Sequence, residues 1–301
     1  MTTVVVGGAG EVGGLLARLL LPDGPVVCAD VRAAEIPGTV AIVADACRPS
    51  ADLLSVLRQA GTVVFALPEH VAVPAVAACA PAVRPGALLV ETLSVKEAVT
   101  PALAGAAASR GAEACGLNPM FAPALGWQDN AVAAVRVADG PRTTALLGSI
   151  TAAGARVVEL TAGEHDRVTA VLQAATHAAA LAFGQAVVAG GADAEALLAL
   201  APPPHLTMLA VLARITGGNP DVYWDIQVAN PHAAAARAAL REAVTTIDTL
   251  ASTGDRAGFD ALLHGVEKHL GDRAPLLRGL CARLFTMRLS ARSGEFWRRF
   301  P

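Results

Sequence analysis

"VVVGGAGEVGGLL", residues 4–16, joins three valines to a glycine turn and an apolar helical start. Three β-branched residues in a row read as a buried strand. Gly8-Ala9-Gly10-Glu11-Val12-Gly13 is then G-x-G-x-x-G directly after a strand and at the head of a helix. In that context the spacing cradles the pyrophosphate of a dinucleotide. On this reading Gly8 allows the tight turn and Gly10 lets the pyrophosphate reach the backbone. Gly13 lets helix and strand pack closely, and the helix N-terminus, with Glu11 and Val12, faces the phosphates. The second strand, "PVVCAD", ends in Asp30, 17 residues past Gly13. A carboxylate there hydrogen-bonds ribose hydroxyls and repels a 2′-phosphate, which favours NAD over NADP; Arg32, two residues on, is the group that could accept that phosphate.

Working outward, β-branched runs recur at 26–29, 40–43, 62–66 and 88–91, with helical stretches at 11–21, 50–60 and 70–80. Further strands are expected at 112–117, 131–137 and 155–160. Room for crossover helices implies a mainly parallel sheet. In "VVFALPEH" (63–70) a strand runs into a loop at the sheet's carboxyl edge, so Leu67 and Pro68 are expected to line the nicotinamide half. His70 reads as a surface residue at a helix start. Past residue 160 the pattern turns helical, at 164–189, 193–200, 204–216, 221–229, 231–252, 255–270 and 275–289. The expected fold is therefore an α/β Rossmann domain with a mainly parallel, doubly wound sheet over 1–160. An all-α domain follows over 161–301.

A net charge of −3 gives no reason to expect nucleic acid or an acidic membrane surface as partner. Val168–Ala192 is free of charge and long enough to span a bilayer, yet carries Gln173, Thr176, His177 and Gln185; a buried interface helix is the expectation, not a membrane span. No signal peptide is read at the start. Five scattered cysteines without a C-x-x-C fit a reducing cytoplasm, and none lies in a metal-like cluster. The tail "RSGEFWRRFP" (292–301) is expected to dock on a neighbour or fray.

Six segments in order carry a family resemblance: "VVVGGAGEVGGLLARLL", "VVFALPEHV", "LLVETLSVKEAV", "GLNPMFAP", "EHDRVTAVLQAATH" and "ARITGGNPDVYWDI". Over about residues 2–230 the chain resembles the prephenate and arogenate dehydrogenases. The resemblance implies a Rossmann domain followed by a helical domain that forms a homodimer. It implies NAD-dependent oxidation of a cyclohexadiene dicarboxylate with loss of CO2. Ser94 matches the family serine that hydrogen-bonds at the nicotinamide and the ring 4-substituent; the alternative reading is an N-cap for the following helix. Arg214 falls on the family arginine that clamps a substrate carboxylate, which a planar guanidinium suits. His177 matches a histidine near the side-chain carboxylate; read alone, a lone histidine on an apolar helix face is a satisfied core residue. Gln173, four residues earlier on one helix face, contacts substrate or bonds locally. Tyr223, with Trp224, closes the pocket or packs at the dimer interface. Lys96 holds its loop or the substrate, or is simply a solvated lysine, and His165 orders the domain junction.

Asn118 departs from the pattern. The family has histidine there, accepting the proton of a 4-hydroxyl, and a carboxamide takes up no proton near neutral pH. Three readings follow. The substrate carries an amino group at carbon 4, as in 4-amino-4-deoxyprephenate, whose nitrogen stabilises the cation left by hydride loss. Or the enzyme acts on prephenate or arogenate with another base. Or the chain binds NAD as a sensor or partner subunit without turnover. β-Hydroxyacid dehydrogenases share the architecture but use an interdomain lysine, and past residue 160 this chain has only Lys268.

Overall fold

The computed structural model describes residues 1–191 and 193–290, with side chains to 286; the tail at 292–301 lies outside them. By contacts the chain forms two compact units: 1–172 with 224–233, and 173–223 with the remainder from 234.

The first unit is built on an eight-stranded sheet: β1 (Thr2–Val6), β2 (Val26–Asp30), β3 (Val40–Val43), β4 (Ala60–Phe65), β5 (Leu88–Glu91), β6 (Glu113–Pro119), β7 (Ala131–Ala138) and β8 (Arg156–Glu159). Their spatial order is β3-β2-β1-β4-β5-β6-β7-β8. All pairs are parallel except β6 with β7. The order reverses beside β1, which puts a crevice at the carboxyl ends of β1 and β4. Helices α1 (Glu11–Leu20), α2 (Ala51–Leu57), α3 (Glu69–Cys79), α4 (Thr100–Arg110) and α5 (Pro141–Ala152) cover the sheet. One face buries Leu53, Leu57, Val76 and Leu103 from α2, α3 and α4. The other buries Leu16, Leu20, Leu146 and Ile150 from α1 and α5. Near-continuous apolar strands such as VVV and LLV are what a sheet covered on both faces requires.

Register fixes what reaches the edge. Val6, Phe65, Glu91 and Gly116 lie in one lateral row across β1, β4, β5 and β6. β5 stops there, whereas β6 runs on to Pro119 because antiparallel β7 supports it, pairing Asn118 with Ala133. Asn118 thus projects past the end of its parallel neighbour. All eight predicted strands form. Helices α4 and α5 are additional to the helical stretches read from the sequence, and the step from β2 to β3, which has room for a crossover helix, is a loop.

The long apolar helix breaks into α6 (Ala162–Thr169), a π turn at Ala170–Ala175 and α7 (Thr176–Ala189). By length and composition alone, Ala162–Ala189 could cross a bilayer. It is followed by α8 (Ala194–Leu200), α9 (Pro203–Thr216), α10 (Pro220–Val228), α11 (Ala233–Thr253), α12 (Arg256–Leu270) and α13 (Ala274–Ser290). In the second unit α7 packs on α9, where a Cβ at Gly184 would meet Leu212 at 2.7 Å.

Candidate active site

The glycine loop closes tightly between β1 and α1. The left-handed residue is Gly7, at φ +84°, where an added Cβ would strike the Ala66 carbonyl. This corrects the reading of Gly8 as the tight turn. Gly8 instead lets the loop lie on β2, since a Cβ there would meet Cys28 at 2.6 Å. Gly13 keeps its expected place: a Cβ would strike the Gly7 carbonyl, so helix and loop touch only through glycine. Gly10 caps α1, and Glu11 and Val12 open its first turn. Asp30 turns its carboxylate onto this loop, accepting from Ala9 N at 3.1 Å and from Arg32 N at 3.1 Å. Arg32 is exposed. Bare helix amides beside an oriented carboxylate form a cradle that fits a dinucleotide. Leu67 packs beside Leu93 and Val99, and Pro68 caps α3.

Asn118 and Ser94 lie on the carboxyl side of β6 and β5. Ser94 is half-buried in the loop after β5; α4 begins only at Thr100 with Val99 as its cap, so the N-cap reading of Ser94 is withdrawn. That loop is pinned from below. Lys96 is fully buried, and its ammonium donates to Glu91 Oε1 (2.7 Å) and Oε2 (3.0 Å), to Leu93 O (2.7 Å) and to Leu117 O (2.9 Å). Glu91 also accepts from Leu93 N at 2.8 Å. Lys96 therefore holds the loop and is closed to substrate. Gly116 exists for this pair, because a Cβ there would strike the Glu91 carboxylate.

A second network reaches Asn118 from α6. The box Thr161–Glu164 caps this helix reciprocally and sets the position of His165 and Asp166, which follow it directly. Asp166 accepts from Lys96 N (2.8 Å), Glu97 N (2.8 Å) and His165 Nδ1 (2.7 Å). Burial alone would raise the Asp166 carboxyl; the His165 ring and the two backbone amides outweigh it and hold it below the usual range. Burial pushes the His165 ring below its ordinary value, against the pull of Asp166, so the imidazole is neutral near pH 7. The partners then fix the tautomer. Nδ1 carries the proton toward Asp166, and Nε2 is left as an acceptor. Asn118 Nδ2, 3.1 Å away, must donate to it. This orients the amide and leaves Oδ1 as its outward acceptor. His165, read as a junction residue, is thus the direct partner of Asn118. Asn230 fastens the same turn, donating to Asp166 O at 2.8 Å.

The second unit holds its own cluster. His177 packs edge-on against Tyr223 with ring centroids 4.9 Å apart. Burial first, then the Arg214 charge, lowers the His177 pKa, and its Nδ1 is buried without a hydrogen-bond partner among the described residues. Arg214 is exposed on α9 and enters no ion pair among the described residues. Gln173 lies on the π turn, an element found disproportionately at functional sites. Sequence reasoning missed Glu69, Glu91 and Asp166, whose roles depend on partners distant in the chain.

Comparison with known proteins bears on this arrangement. The prephenate dehydrogenase dimerization domain matches residues 161–265. Over 285 residues the chain is 48% identical to the 4-amino-4-deoxyprephenate dehydrogenase of Streptomyces pristinaespiralis, spanning 94% of this chain and 96% of that protein. It is 30% identical over 274 residues to the T-protein of Enterobacter agglomerans, spanning 90% of this chain and 68% of the relative. Among solved structures, prephenate dehydrogenase from A. aeolicus in complex with hydroxyphenyl propionate and NAD+ aligns at a TM-score of 0.69 and 16% identity, over 90% of this chain and 97% of that one. At that identity the likeness speaks to the fold.

Proposed function

Because the chain belongs to the prephenate dehydrogenase family, we propose that it oxidatively decarboxylates 4-amino-4-deoxyprephenate to 4-aminophenylpyruvate. NAD, bound on the glycine loop by Gly8, Gly10, Gly13 and Asp30, supplies the hydride acceptor. Leu67 and Pro68 wall its nicotinamide end. Ser94 hydrogen-bonds the ring 4-substituent, Arg214 clamps a carboxylate, and His177, Gln173 and Tyr223 complete the substrate's surroundings. Residues 1–160 serve as the cofactor domain and 161–301 as the substrate and dimerisation domain.

The observation that carries this reading is the orientation of Asn118. Its Nδ2 donates to His165 at 3.1 Å, so its Oδ1 is the outward acceptor. An amide oxygen can receive an N–H bond from a 4-amino group but cannot remove the proton of a 4-hydroxyl. With nitrogen at carbon 4, its lone pair stabilises the cation as the hydride leaves. Loss of the ring carboxylate as CO2 then gives the neutral arylamine. The name of the 48% identical relative supports the same substrate.

The test is NADH formation with 4-amino-4-deoxyprephenate, prephenate and arogenate side by side. The amine should turn over at least 10²-fold faster in kcat/KM, the least a positioned base is worth. Faster turnover of prephenate or arogenate would overturn the reading, and NAD binding without any turnover would favour a sensor.

We also place the protein in a reducing cytoplasm as a homodimer. Five free thiols support the former. Exposed apolar residues along the second unit, among them Leu181, Val188, Ile247 and Leu263, support the latter.

A further inference from the structure

We propose that Glu69 is the base that receives a proton from the substrate's 4-ammonium group. The inference rests on the reading of the site just given and goes beyond it. A primary alkylamine has a pKa near that of lysine, about 10.4, so it arrives at neutral pH as an ammonium. An ammonium has no lone pair to stabilise the cation that hydride loss creates. One proton must therefore leave nitrogen in each turnover, and Asn118 cannot take it.

The ionisable groups around Ser94 and Asn118 narrow the choice. Glu91 is closed by Lys96 and the Leu93 amide. Asp166 is filled by His165 and the amides of Lys96 and Glu97. His165 is fully buried, with Nδ1 on Asp166 and Nε2 on Asn118. Glu69 differs. It opens α3 at the carboxyl edge of β4, half-buried, and its carboxylate lies on the loop of Ser94, accepting from Val95 N at 3.0 Å with the Ser94 amide beside it. The charged groups facing it are Lys96 and Glu91 beneath the loop and Asp225 of α10, whose carboxylate accepts from Glu69 N at 3.4 Å. Burial, outweighing the attraction of Lys96 and the loop amides, pushes its carboxyl up to about 7. A carboxylate in that range both pairs with an ammonium and accepts its proton near neutral pH.

The step balances. The ammonium and the Glu69 carboxylate become free amine and carboxylic acid. The free amine is the form whose carbon 4 can release a hydride, for which NAD on the glycine loop would be the acceptor, and Glu69 returns its proton to solvent after product leaves.

Glu69→Gln tests this, because a glutamine oxygen still accepts from Val95 N. In wild type, kcat/KM on the amine should rise with pH through about 7, as Glu69 ionises. In the variant it should fall by about 10²–10⁴-fold at pH 7, and the limb near 7 should vanish, activity rising instead toward the amine's own pKa. Glu69→Asp should restore part of the rate and the limb. Calorimetry with trans-4-aminocyclohexane-1-carboxylate should show about tenfold weaker binding to the variant, with NAD affinity unchanged. A variant as active as wild type, or a reduced rate with the limb near 7 intact, would overturn the role of Glu69 alone. A wild type that oxidises prephenate and leaves the amine untouched would overturn the substrate reading and this role together.

Discussion

At the scale of one residue, Asn118 shows how neighbours assign a role that an amide lacks by itself. Asp166 sets the tautomer of His165, and His165 sets which end of the Asn118 amide faces outward. If the absent imidazole is what bars a hydroxyl substrate, Asn118→His should raise kcat/KM on prephenate by about 10²-fold or more. NADH absorbance in a steady-state assay reads this directly, and an unchanged rate would place the barrier elsewhere. The sequence announced Asn118 through its flanking Gly116, Pro119 and Met120. It did not announce the partner, because 47 residues separate Asn118 from His165 and only the fold closes that gap. Glu69 went unread for the same reason. A glutamate at a helix start is an ordinary favourable charge, and its contact with Val95 spans 26 residues.

At the scale of elements, the loop after β5 is held by an ion pair that the interior has fully satisfied. Lys96→Met would leave the Glu91 carboxylate buried without its counter-charge, and should cost about 3–5 kcal/mol. Denaturant unfolding of the first unit measures this. Adding Glu91→Leu should return most of the loss, since an apolar pair needs no solvation. A single variant as stable as wild type would mean that water reaches Glu91. Elements with strong local signals were legible: β1, β2, β3, β4 and β5 are β-branched or aliphatic runs bounded by glycine, proline or polar residues. The unread helices α4 (TPALAGAAASR) and α5 (PRTTALLGSITA) are rich in alanine, threonine and glycine, with no sustained apolar stripe to betray them. The π turn left no mark either, because alanine-rich sequence suits either winding.

At the scale of the molecule, sequence and structure divide the chain differently. Composition changes near residue 160, where strands cease. Contacts instead keep α6 and residues 224–233 with the sheet unit. Asn230 shows why, donating to Asp166 O and to Thr169 Oγ1 from 64 and 61 residues away. The apolar surface of the helical unit leads to a further expectation. Sedimentation equilibrium should give twice the 30.4 kDa chain mass, and a particle of one chain mass would remove the homodimer.

The burial of Lys96 also governs how this protein meets amine-directed reagents. The whole sequence contains two lysines, Lys96 and Lys268. The first is sealed at 0% exposure with its ammonium engaged on every side, and the second lies exposed near the end of α12. Of these two lysines, acylating dyes, biotin esters and aldehyde surfaces therefore find one. Lys268→Arg would remove that target and leave the charge unchanged, so that labelling of lysine would then report only the opening of the Lys96 loop.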